Sequence, residues 1–165
     1  MNDLRIEIVS SDKSEHIEIV RSLFREYETW LGIDLCFQGF EAELASLPGK
    51  YGEPDGRLFL AYCGEIVAGC GALRALDSET GEMKRIYVRP EFRGAGLGIR
   101  LIDKVIDAAR EIGYLKLRLD TFPPKMEKAV SLYKSLGFRK IEPYYENPNA
   151  ETLFMQLDLA TENHS

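Results

Sequence analysis

Apolar and polar positions repeat along this chain at two periods, and the switches between them mark out elements. Leu4 to Val9 reads as a strand, and Ser11 or Asp12 can cap a following helix. Ile17, Val20, Phe24, Tyr27 and Leu31 line one face of that helix in a 3-4-3-4 rhythm. A shorter helix is predicted from about Gly39 to Leu47, and Pro48-Gly49 with Gly52 to Gly56 reads as a surface loop. Arg57 to Tyr62 and Glu65 to Leu73 form a predicted hairpin about Cys63-Gly64, followed by a third strand from Glu82 to Val88. The period then lengthens again. Leu97, Leu101, Val105, Ala108 and Ile112 share a helical face that ends at Gly113. Leu115, Leu117 and Leu119 alternate with Lys116, Arg118 and Asp120 in a further strand, and Pro123-Pro124 separates it from a helix over about Lys125 to Leu136. A short strand near Phe138 to Ile141 and a last one with Leu153, Met155, Leu157 and Leu159 on one face complete the set. The expected fold is α/β (α+β): a mixed, mostly antiparallel central sheet flanked by helices, one domain over residues 1–160, with 161–165 a disordered tail.

The junction after the third strand carries the chemistry. Glycines at 94, 96 and 98 sit where a strand and turn open into a helix, and such a loop lets backbone N–H groups and the helix dipole face an anion. A dinucleotide fingerprint would need a third glycine where Ile99 stands, and a P-loop would need Gly-Lys-Ser/Thr, which is absent. A phosphate-bearing cofactor remains the natural guest.

The 165 residues suffice for one well-packed core, and 45% hydrophobic residues is ordinary for a globular protein. Net charge is −6, which argues against nucleic acid as the partner and favours a small or cationic acceptor. Cys36, Cys63 and Cys70 lack metal-ligand spacing and lie far from His16 and His164, so neither a metal site nor a disulfide framework is indicated. Neither a leader nor a span of about 20 apolar residues is evident, and the expectation is a cytoplasmic protein without a membrane partner.

Arg93-Gly94-Ala95-Gly96-Leu97-Gly98 resembles the R/Q-x-x-G-x-G/A pyrophosphate loop of the GNAT superfamily of acyl-CoA-dependent N-acetyltransferases. One helix and one strand later, Ala129-Val130-Ser131-Leu132-Tyr133-Lys134-Ser135-Leu136-Gly137-Phe138 resembles that superfamily's A-x-x-L-Y-x-x-x-G-F motif. The resemblance covers roughly Arg57 to Leu159; residues 1–56 match in general layout. It implies acetyl-CoA as cofactor and direct transfer of the acetyl group to a primary amine of a small molecule. The alternative is a domain that binds acyl-CoA without turnover.

Transferred residue by residue, the resemblance implies that backbone N–H groups from Arg93 through Ile99 hold the pyrophosphate. It places the pantetheine arm along Ile86, Tyr87 and Val88, with Thr121 and Ala129 beside it. Tyr133 would be the general acid, or else simply an aromatic at the edge of the core. Glu82 would be the general base, or else a solvated strand-end charge. Met126 stands where many members have an asparagine, which puts one pantetheine contact in doubt, and Thr121 could supply a compensating hydroxyl. Acceptor recognition would fall to the first helices and the loop before the last strand: Glu26, Tyr27, Trp30 and Phe37 on one side, Tyr144 and Tyr145 on the other. An exposed last strand would pair with a second copy, giving a homodimer.

Overall fold

A computed structural model describes residues 3–9 and 14–159, excepting the side chain of Phe37. The predicted cap at Ser11 or Asp12 and the expected tail lie outside the described residues. The elements in order are β1 (Leu4–Ile8), α1 (Ser14–Leu31), α2 (Phe40–Ser46), β2 (Arg57–Cys63), β3 (Ile66–Ala75) and β4 (Thr80–Val88). They continue with α3 (Leu97–Ile112), β5 (Lys116–Thr121), α4 (Pro123–Ser135), β6 (Arg139–Ile141) and β7 (Leu153–Asp158). The strands form one open sheet in the order β1-β2-β3-β4-β5-β7-β6, antiparallel except between β4 and β5. None of the described helices is long and apolar enough to cross a membrane.

Each face of the sheet buries its own core. On one, Leu97, Leu101 and Val105 of α3 pack against Leu73, Leu117 and Met155; on the other, Val20, Leu23 and Phe24 of α1 pack with Leu58, Leu60 and Phe40. The predicted apolar stripe of α1 is buried throughout. Gly113 closes α3 at φ 106°, a left-handed conformation that costs an L-residue about 1–2 kcal/mol, and its N–H returns to Ala109 and Arg110.

Four expectations change. The segment 48–56 is not wholly a surface loop: a 3-10 turn over Gly49–Tyr51 buries Tyr51, whose ring meets Phe24 edge-on at 6.1 Å. Leu115 is outside β5 and exposed; Tyr114 takes the buried place beside it, with its hydroxyl on Asp55 O at 2.6 Å. The two prolines form the first turn of α4 instead of preceding it, since a residue there needs no N–H donor. Finally, β7 is not an edge. It is paired on both sides, with β5 and β6, so the proposed edge for a second copy does not exist there.

One irregularity in β4 matters for everything that follows. Between Cys70 and Ala72 of β3 the register slips, so Cys70 faces Tyr87 but Ala72 faces Lys84. Arg85 occupies this bulge at φ 60°, a conformation that non-glycine residues seldom adopt. A buried ion pair holds it there: its Nε and a terminal nitrogen donate to the two Glu43 oxygens at 3.0 and 2.8 Å, and its guanidinium stacks 5.2 Å over Phe40. A bulge bends and twists its strand. The pairing of β4 with β5 ends just before it, at Glu82 opposite Arg118, although both strands continue.

Candidate active site

Beyond the last β4–β5 pair the two strands diverge, and a narrow cleft opens between them. Met83 and Ile86 line it from β4, Leu119 and Asp120 from β5, and Met126 and Tyr133 from α4. Tyr133 is buried, its ring 5.5 Å from Phe138, and burial pushes its phenol above the ordinary range. Thr121, next along β5, donates its hydroxyl to Met126 Sδ at 3.1 Å. Met126 itself interrupts α4 with non-helical angles, φ −125° and ψ 39°.

At its far end β4 runs through a 3-10 turn at Pro90–Phe92 into the glycine loop. Gly94 and Gly96 have φ of 89° and 81°, and Gly96 serves as N-cap of α3 without any side-chain bond. Among the described residues, the N–H groups of Gly94, Ala95, Gly96, Leu97, Gly98 and Ile99 meet no internal acceptor; the first return bond is Arg100 N to Gly96 O at 3.3 Å. The loop from Arg93 to Gly96 is exposed. A row of open donors at the positive end of a 16-residue helix is chemically matched to a phosphate group. Arg93 is held beside it, with Nε on Val88 O at 2.8 Å and its guanidinium 4.7 Å over Trp30. Ala129 is half-buried on α4 against the core that contains Tyr133.

Around the start of β4 the site is built from charge. Glu82 is 1% exposed, within the strand instead of at its solvated tip. Its carboxylate accepts from Arg74 Nε at 2.8 Å and from the Tyr144 hydroxyl at 2.7 Å, with Lys84 Nζ 4.0 Å away. Burial alone would raise this carboxyl; Lys84, Arg74 and Tyr144 outweigh it and hold it below the usual range. Burial pulls the Lys84 ammonium below the ordinary lysine range, against the opposing pull of Glu82. Lys84 also donates to Gln38 Oε1 at 3.3 Å, and Gln38 Nε2 donates to the Tyr145 hydroxyl at 3.2 Å. Tyr145 in turn donates to Asp120 Oδ2 at 2.6 Å and accepts from Asn147 Nδ2 at 2.9 Å. Burial, then Asp120, keeps the Tyr145 phenol protonated by raising it above its ordinary range.

The residues singled out for the acceptor divide between two places. Tyr144 and Tyr145 join the charged network, and Tyr27 lines the cleft. Glu26 and Trp30 do not join them. Both Glu26 oxygens bind Arg89, at 3.0 and 2.7 Å, and Trp30 is flanked by Arg93 and by Lys125 at 5.4 Å, beside Tyr87. Arg89 lies roughly 20 Å along the strand direction from Glu82, at about 3.3 Å per residue. The physical reason is that α1 crosses β4 near its end, so this stretch of its exposed face borders the glycine loop. Arg85, Glu43, Gln38 and Asp120 were not singled out by pattern; Asp120 alone left a signal, as the polar member of an alternating strand that ends at the cleft.

Comparison with known proteins agrees with this geometry. The sequence profile of the acetyltransferase (GNAT) family matches residues 17–138. An uncharacterised N-acetyltransferase of Schizosaccharomyces pombe is 37% identical over 162 residues, covering 97% of this chain and 99% of its own. A solved acetyltransferase from Streptococcus agalactiae superposes with a TM-score of 0.77 at 21% identity, over 96% of this chain and 100% of its own. A protein of Salmonella typhimurium solved with its cofactor acetyl-CoA superposes with a TM-score of 0.69 at 20% identity, over 99% and 98%. With the family's profile matched from α1 to the end of its second motif, and its overall fold shared, the chain belongs to the GNAT family of acetyltransferases and is an acyltransferase enzyme.

Proposed function

We propose that this enzyme transfers the acetyl group of acetyl-CoA directly to the primary amine of a small molecule. The observation that carries this reading is the adjacency of three features: strands that diverge at a bulge, an exposed glycine loop with open N–H donors, and a buried tyrosine lining the gap. The N–H groups of Gly94 to Ile99 would hold the pyrophosphate, and the edge of β4 at Ile86, Tyr87 and Val88 would hold the pantetheine arm, bordered by Thr121 and Ala129. Bound acetyl-CoA supplies a thioester in the cleft.

The residues of the chain then have separable tasks. Tyr133 keeps its proton, because burial disfavours the phenolate, and donates it to the departing sulfur. Reference values of about 10 for a phenol and 8.5 for a thiol leave this transfer slightly uphill, and the same burial raises the thiol as well. Asp120 takes the ammonium proton: it lines the cleft, and one of its oxygens accepts no hydrogen bond among the described residues. Glu82 is fully engaged by Arg74 and Tyr144 and fixes their positions instead of exchanging protons itself.

The test is a thermal unfolding series with acetyl-CoA followed by a screen for amine-dependent release of free CoA. The reading expects a rise in midpoint set by mass action and release that depends on both substrates. The midpoint standing still up to millimolar acetyl-CoA would overturn it.

A further inference from the structure

We propose that the acceptor is an amine that also carries a carboxylate, several carbons away, and that a cavity beneath α2 receives this carboxylate on Arg74 and Lys50. The inference rests on the acetyl-transfer reading and names the class of acceptor it leaves open. The cavity measures about 300 Å³ and is lined by Ala42, Glu43 and Ser46 of α2, by Lys50 and Tyr51 of the 3-10 turn that follows, and by Arg74 of β3. That volume lies at the small end of the range for ligand pockets.

The charged groups of the wall differ in what they can still bind. Both Glu43 oxygens are taken by Arg85, so this carboxylate already has its counter-charge. Arg74 is half-buried and uses only Nε, on Glu82; its two terminal nitrogens have no acceptor among the described residues. That leaves the outer edge of the guanidinium open, a pair of parallel donors matched to a carboxylate. Lys50 is exposed and makes no ion pair among the described residues. With the wall and its hydrogen-bond partners taken together, Lys50, Arg74, Lys84 and Arg85 stand against Glu43 and Glu82, a cationic excess on a chain whose net charge is −6. An anion gains from that excess; a second ammonium would be repelled by it.

The sheet sets the distance from this site to the reacting position. Arg74 pairs with Glu82, and Glu82 with Arg118, two residues before Asp120. Two strand spacings and two residues put the Arg74 and Asp120 α-carbons roughly 12 Å apart, so an acceptor that touches both needs a chain between its two charges. Gln38 is the partition: it lines this cavity and also the space beside Asp120. It accepts from Lys84 at 3.3 Å and donates to Tyr145 at 3.2 Å. Both keep a partner without it, Lys84 near Glu82 at 4.0 Å and Tyr145 on Asp120 at 2.6 Å, so turning Gln38 aside isolates neither group. The acceptor's chain takes the place of that side chain, and its amine meets Asp120, the base assigned above.

The experiment compares 6-aminohexanoate with 6-aminohexanamide, equal in length and different in charge, using the full chain at saturating acetyl-CoA and reading free CoA. The expected result is a kcat/KM at least about tenfold higher for 6-aminohexanoate. Hexanoate, which has the carboxylate and no amine, should compete with 6-aminohexanoate. Lys50→Glu should bring the two amines to within about threefold of each other, through KM, while Lys50→Arg keeps the preference. Equal or better turnover of the amide, turnover of neither amine, an unchanged preference in Lys50→Glu, or stimulation by hexanoate in place of competition would overturn the acceptor assignment. A wild-type unfolding midpoint that acetyl-CoA does not move would instead overturn the transfer reading beneath it.

Discussion

At its beginning, β4 is embedded in side-chain charge; at its end it meets a loop that works through backbone. Glu82, Lys84, Arg74 and Tyr144 form a closed set in which every member depends on another for its protonation and position. The glycine loop has no such set. Its open N–H groups are aimed by two left-handed glycines and a helix axis, and Arg93 is held against it by Val88 O. The difference teaches how each half of the site can fail. The charged half is cooperative and loses many positions together, whereas the backbone half is modular and loses affinity by degrees.

Removing the centre of the charged half is the most damaging way to test this. Glu82→Gln leaves two buried or half-buried cations without their counter-charge and should cost about 3–5 kcal/mol of stability in urea unfolding. In the wild type this carboxyl sits below its ordinary value of 4.5, so its contribution is complete above pH 4.5 and disappears as pH falls through the lower, folded value. Urea midpoints measured from pH 7 down to pH 3 should therefore show an acid loss that is smaller in Glu82→Gln. Tyr133→Phe should lower kcat by about 100-fold, close to 2.7 kcal/mol in the barrier, with the acetyl-CoA thermal shift intact. A normal kcat would reduce Tyr133 to an aromatic of the core edge.

On the backbone half, Gly96→Ala places an L-residue at φ 81° and should cost about 1–2 kcal/mol, seen mainly as a roughly tenfold weaker Kd for acetyl-CoA by calorimetry. Trp30→Ala removes the surface on which Arg93 and Lys125 rest and should weaken the same Kd by less than about fivefold, at roughly 0.5–1 kcal/mol for an exposed cation–π contact. An effect of Trp30→Ala confined to KM for the amine would return this residue to the acceptor side.

The backbone half was legible in the sequence for a simple reason: its residues are contiguous and its requirement for positive φ restricts the residue type, so Gly94 and Gly96 announce themselves. Helix faces were legible for a similar reason, since a stripe such as Val20, Phe24 and Tyr27 needs only local periodicity. The charged half draws on β3, β4, the turn before α2, β5 and the segment before β7, joined through Arg74, Glu82, Gln38, Asp120 and Tyr145. No local pattern records which of these meet. Arg85 was hidden in another way, because an arginine in an alternating strand looks solvated, and only the register slip turns it inward onto Glu43.

That slip also changes how the strand can be edited. Before it, the even-numbered Glu82 and Lys84 face the charged network while Met83 joins the α3 core; after it, the odd-numbered Tyr87 faces α1 while Ile86 and Val88 turn to α3. The bulge is thus a frameshift in the strand's side-chain phase, one inserted residue that exchanges inside and outside for everything downstream. Deleting the single residue at 85 would restore plain alternation, leaving Ile86, Tyr87 and Val88 on their present faces, and would remove the Arg85–Glu43 pair together with the bend that parts β4 from β5.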